Sequence, residues 1–122
     1  MAIARDWQRL EGALIFLMGM GLYWPHADIL PWWAALVLFF VPDLSFVGYL
    51  KGPKVGAAFY NTVHIYGFGA VLFIAGQLAA VPLLAALGAL WLAHSGFDRL
   101  FGYGLKSPEG FGVTNLGPIG RK

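Results

Sequence analysis

The 122-residue chain contains no cysteine, which excludes disulfides, thiolate nucleophiles and thiolate metal ligands. Charge is also scarce. Only 11% of the residues are Asp, Glu, Lys or Arg, against 59% that are hydrophobic. Soluble domains carry about 25% charged residues, so water is not the expected main solvent. The signatures of soluble enzymes are missing as well: there is no phosphate-binding loop, no nucleophile elbow and no HExxH helix. With a formal net charge of only +2, nucleic acid is not an expected partner, and the basic residues are better read through membrane topology.

What the chain does have is four long apolar stretches, at about 7–24, 30–49, 55–79 and 81–101. Each approaches the ~20 residues that cross a bilayer as a helix. The expected fold is an all-α membrane protein. It has one domain, residues 1–122, with four transmembrane helices in an up-down bundle and an irregular glycine-rich tail at 102–122. Arg5 and Arg9 precede the first stretch as they would in a signal peptide. The following "YWPHAD" is bulky and turn-forming with no small-residue cleavage site, so a retained span is expected. With four spans, Arg5, Arg9, Lys51, Lys54, Arg99, Lys106, Arg121 and Lys122 all fall on one side, and the opposite loops "PHADILP" and "GQLAAVP" carry no lysine or arginine. That asymmetry places both termini in the cytoplasm and the protein in the inner membrane. Trp24, Trp32 and Trp33 then form an outer aromatic belt, with Trp7 on the inner side. Pro42, inside the second stretch, is expected to kink its helix.

Each stretch buries something polar: Glu11 in the first, Asp43 in the second, Asn61 and His64 in the third, His94 and Asp98 in the fourth. At 1.5 Å per residue, Asp43 lies roughly 12 Å from Lys51, His64 roughly 15 Å from Lys54, and Asp98 about 12 Å from Lys106, so they share the cytoplasmic half. His94 and Asp98 are four apart and Asn61 and His64 three apart, so each pair shares a helix face. Ionisable groups inside a bilayer are costly and carboxylates in one pocket repel, so protons, cationic side chains or a bound cation must offset them. Two imidazoles beside carboxylates fit a divalent metal such as zinc; they equally fit a proton-sharing network.

The stretches "PDLSFVGYLKGPKVGAAFYNTVH" (42–64), "WLAHSGFDRLFGYGLK" (91–106) and the closing "NLGPIGRK" resemble a family of small bacterial membrane proteins known as domain of unknown function 4260. The resemblance covers nearly all of the chain beyond the first helix and falls on Asp43, Tyr60, Asn61, His64, His94, Asp98, Arg99, Tyr103 and Lys106. It implies no established activity. The family pattern often has a Thr-His-Leu-Gly run where this chain reads "TNLG" with Asn115, which weakens any scheme built on a tail imidazole.

The expected function is that of a small membrane protein with a polar site near the cytoplasmic face, metal-binding or hydrolase-like toward a lipid or amphipathic molecule. Asp43, His64, His94 and Asp98 are the candidate ligands and catalytic groups. Asn61, Arg99, Tyr103 and Lys106 are the candidate substrate contacts. Two alternatives compete with it. One is a structural or binding subunit whose polar cluster holds the helices together; the other is a proton-coupled small transporter working as a dimer around Glu11. Tyr49, Tyr60, Tyr66 and Tyr103 read mostly as belt or packing residues, and Ala85, Ala89 and Ala93 as a packing ridge. Gly69, Gly76, Ala85 and Ala89 would allow close contact between copies in a homodimer.

Overall fold

Prolines set the element boundaries. The computed structural model describes residues 2–116; residues 117–122, which end the expected tail and include Arg121 and Lys122, lie outside the described residues. Helix α1 (Ala2–Tyr23) ends in a single 3₁₀ turn, Trp24–His26, at Pro25. Helix α2 (Trp32–Phe39) follows Pro31. A 3₁₀ segment, Val41–Lys51, opens with Pro42 in its first turn. Helices α3 (Pro53–His64) and α5 (Pro82–Leu100) each have proline at the start, and α4 (Tyr66–Leu78) lies between them. Proline fits these positions because the first helical N–H groups have no intrahelical acceptor to lose.

Mostly helical architecture is as expected; the winding is not. Instead of one kinked helix, residues 32–51 form a short α-helix and then eleven residues of 3₁₀ helix. The third stretch breaks at Ile65, whose extended backbone bends α3 against α4 by 48°. Among the described residues, Trp32–Lys51 is the one continuous helix long and apolar enough to cross a membrane, and α3 with α4 makes a second if the bent pair counts as one span. Arg5, Asp6, Arg9 and Glu11 keep α1 from that class, and His94, Asp98 and Arg99 lower the hydropathy of α5.

Helix α5 is the core. Helices α1 and α4 pack on it, each antiparallel to it: Gly12 and Gly19 of α1 meet Gly96 and Ala93 of α5, and Gly69 and Gly76 of α4 meet Leu92 and Ala85. Ala85, Ala89 and Ala93 are wholly inaccessible, so the alanine ridge is packing, as expected. Glycine is required where backbones touch. A Cβ on Gly96 would strike the backbone of Gly12 and Phe16, and one on Gly88 the backbone of Phe73. Gly69, Gly76, Ala85 and Ala89, which on sequence suggested contact between copies, therefore meet inside one chain. At the far end the Tyr23 hydroxyl donates to the Leu30 carbonyl, closing a cluster of Tyr23, Leu30, Ala35, Ala86, Ala89 and Leu90. The outer faces stay apolar, with Trp24, Trp32, Leu50, Val71 and Leu78 all strongly exposed.

The described part of the tail is not wholly irregular. Strands β1 (Lys106–Ser107) and β2 (Gly110–Thr114) pair antiparallel across a Ser-Pro-Glu-Gly turn. Proline in that turn presets the φ it needs, and the Ser107 hydroxyl accepts the Glu109 amide. Asn115 adds a second tie, its side-chain oxygen accepting from the Leu105 amide.

Candidate metal centre

The long 3₁₀ segment has a reason, and it lies in α3. Three 3₁₀ residues advance about 6.0 Å and four α-helical residues also advance about 6.0 Å, so the two windings run in step. Asp43, Phe46 and Tyr49, three apart, thus meet His64, Tyr60 and Gly56, four apart. The Tyr49 ring lies against Gly56. The Phe46 ring stacks on Tyr60 with centroids 5.4 Å apart, and Asp43 Oδ1 reaches His64 Nε2 at 3.3 Å. This matched pairing aims the Asp43 carboxylate at the end of α3.

Helix α5 supplies the other half. His94 and Asp98 sit one turn apart on the face that meets the end of α3. His94 Nε2 lies 3.2 Å from His64 Nε2 and 3.1 Å from Asp43 Oδ1. Asp98 Oδ2 lies 3.4 Å from His64 Nε2 and 3.3 Å from His94 Nε2. All four atoms are within 4.8 Å of one another. Three separate elements therefore bring the four expected ligands to one point. A regular tetrahedron with edges near 3.3 Å has its centre about 2.0 Å from every corner, the bond length zinc makes to imidazole nitrogen and carboxylate oxygen; five of the six edges here match it, and the sixth, between the two carboxylate oxygens, is at most 4.8 Å.

The surrounding groups orient these donors. His64 Nδ1 donates to the Tyr60 carbonyl at 2.8 Å, so in the neutral ring Nε2 carries the lone pair and faces the cluster. The Tyr60 ring stacks on His64 at 3.7 Å and its hydroxyl donates to Asp98 Oδ2 at 3.3 Å. His94 is held differently: its buried Nδ1 has no hydrogen-bond partner among the described residues, and the rings of Phe39 and Phe40 wall it in at 5.1 and 6.1 Å. Two carboxylates thus share a largely buried site with two imidazoles, and a divalent cation there would balance their charge.

The break at Ile65 leaves carbonyls at the end of α3 without helical partners, and side chains take them up. Trp91 Nε1 donates to the Val63 carbonyl at 2.9 Å. Arg99 donates to the His64 carbonyl at 2.9 Å and to the Tyr103 carbonyl at 3.3 Å, with its guanidinium 5.3 Å above the Tyr66 ring.

A family model described as Domain of unknown function (DUF4260) matches residues 5–119. The chain belongs to that family. No curated protein and no solved structure matches it. In this DUF4260 chain the remaining expected residues go elsewhere. Asn61 clamps the hairpin, accepting from the Lys106 amide at 2.6 Å and donating to the Lys106 carbonyl at 2.8 Å. Tyr103 is exposed, its carbonyl taken by Arg99. Lys106 is buried, its Nζ 4.8 Å from the centre of the Tyr60 ring; burial pushes its ammonium down to about 8, against the pull of Asp98 and Asp43. Glu11 lies exposed on α1, outside the four-residue cluster. Tyr60 is the residue that reading its type as belt or packing missed. Its place four residues before His64, on the same face, was the available signal.

Proposed function

We propose that this DUF4260 chain is a small integral-membrane metalloprotein. In this reading four apolar spans cross the inner membrane with both termini cytoplasmic. A divalent ion, zinc by its donor set, is held by Asp43, His64, His94 and Asp98 near the cytoplasmic face. The observation that carries it is the meeting of four donor atoms from three elements, with five of six edges between 3.1 and 3.4 Å and all within 4.8 Å. The fixed tautomer of His64 adds to it, since a metal-binding histidine usually gives its other ring proton to a carbonyl or carboxylate. Support for the membrane comes from the exposed tryptophans, leucines and valines, which are too extensive for a surface in water. The ends of the molecule also fit that orientation: Arg5 and Arg9 reach the Leu116 and Leu100 carbonyls, so the basic start of α1 sits beside the end of α5.

A bound zinc supplies Lewis acidity. Asp43, whose side chain is 36% exposed against 11% for Asp98, is the ligand through which the site meets its surroundings. Hydrolysis of a group presented from that side is the reaction class this geometry favours. Lys106, a cation over the Tyr60 ring that feels Asp98 and Asp43, would hold an anionic group of the substrate, while Asn61, Arg99 and Tyr103 act by positioning.

The test is metal analysis of detergent-purified protein. One equivalent of zinc is expected, lost in His64→Gln and Asp98→Asn. Tyr60→Phe keeps the ring stack and removes the hydroxyl from Asp98, so it should retain the metal with affinity lowered about 10–100-fold. No stoichiometric metal, together with variants that only lower the melting temperature, would make the cluster a structural proton-sharing knot.

A further inference from the structure

Beside the cluster, between α1, α2 and α5, lies a cavity of about 320 Å³ with wholly apolar walls. Its volume is at the low end of the roughly 300–1,000 Å³ typical of ligand pockets. We propose that it holds one acyl chain of a membrane lipid, and that the substrate of the metal site is an acyl lipid presented from the inner end of this cavity. Both halves rest on the membrane placement proposed above, and the second rests also on the bound metal.

The argument begins with the mouth. Trp32, Leu36 and Phe40 line the cavity and are also exposed, at 73%, 56% and 48%. The opening therefore faces sideways, across the outer surface of α2. In a bilayer the medium at that surface is hydrocarbon, and an apolar cavity does not hold water. An alkyl chain is the one component of that medium shaped to enter.

Direction and length follow from the walls. From Trp32 to Phe40 the lining runs eight residues, about 12 Å along the helix, so the chain lies lengthwise in a slot. The slot ends at the candidate metal centre. Phe39 and Phe40, which wall the cavity, are the same rings that pack on His94 at 5.1 and 6.1 Å; Phe97 packs beside them on Phe16 and Phe39, and the exposed Phe40 leaves the α2 side of that end open. Asp43, the most exposed ligand, follows Phe40 by three residues. An acyl chain seated along α2 would thus bring its polar end to the open side of the cluster.

The experiment reconstitutes the full chain in phosphatidylcholine vesicles containing a phosphatidylcholine with a diazirine midway along one acyl chain. After irradiation and digestion, mass spectrometry locates the adducts, and metal content is measured on the same sample. Adducts should concentrate on 16–20 and 35–40 over the exposed face of α4, including Val71 and Leu78. Ala35→Leu, which fills the slot, should abolish them with metal content unchanged; Leu36→Trp, at the mouth, gives a second blocking variant if the first does not fold. Even labelling of all exposed apolar faces, or labelling that ignores both substitutions, would overturn the acyl-chain site whatever the metal content. Concentrated labelling without bound metal would support the acyl-chain site and overturn the metalloprotein reading, and with it the substrate assignment.

Discussion

Lys106 is a lysine with 4% of its surface exposed, held in place through its backbone by Asn61 and facing the Tyr60 ring. Burial favours its neutral amine, so between about 8 and the ordinary 10.5 the unfolded chain binds more protons than the native one. Stability should rise with pH through that window. Below it both states are protonated and the burial penalty is present in full. Melting in detergent from pH 7 to 10.5 should therefore show a rise above pH 8 that Lys106→Met flattens, with the variant melting higher at pH 7. Equal profiles for the two proteins would mean that another group sets the slope. At this scale the four cluster residues were legible from sequence, because ionisable groups in an apolar chain must share their solvation. Tyr60 was not, because an aromatic residue in an apolar stretch is ordinarily packing. Arg99 was legible as a residue of consequence but not in its role, since the His64 carbonyl it takes up lacks a helical partner only because α3 stops there.

The 3₁₀ segment and α3 act as a pair of matched rulers. One extra residue moves a 3₁₀ side chain about 2 Å along its axis and about a third of a turn around it. An alanine inserted between Ser45 and Phe46 should leave the Phe46–Tyr60 and Tyr49–Gly56 contacts in place and carry Asp43 off His64. Its metal affinity should fall to that of Asp43→Asn, with unchanged helical circular dichroism; undiminished affinity would show that Asp43 is not held by this register. Pro42 announced a disturbance in the second stretch, but not its form, because the choice of 3₁₀ winding depends on the partner helix. The break at Ile65 was not legible at all. No proline or glycine stands at that position in "TVHIYGF", and the residues that stabilise it, Trp91 and Arg99, come from the other end of the chain.

For the whole molecule, the helical class and the polar cluster were legible, while the two-stranded hairpin and the division of the third stretch arose from tertiary contacts. The absence of native cysteine makes topology directly measurable. Asp28→Cys, exposed in the loop after α1, should react with a membrane-impermeant maleimide on intact spheroplasts; Lys51→Cys should react only after the membrane is opened. The reverse pattern, or equal reaction of both, would overturn the orientation. The position of α5 has a consequence for biogenesis. The innermost helix is also the last of the described helices to be synthesised, and α1 and α4 find their main partner in it. A ribosome paused at Ala80 would have delivered four α-helices and the 3₁₀ segment with no common interior, and two of the four donors. The interior closes, and the donor set is complete, only once translation has passed Asp98.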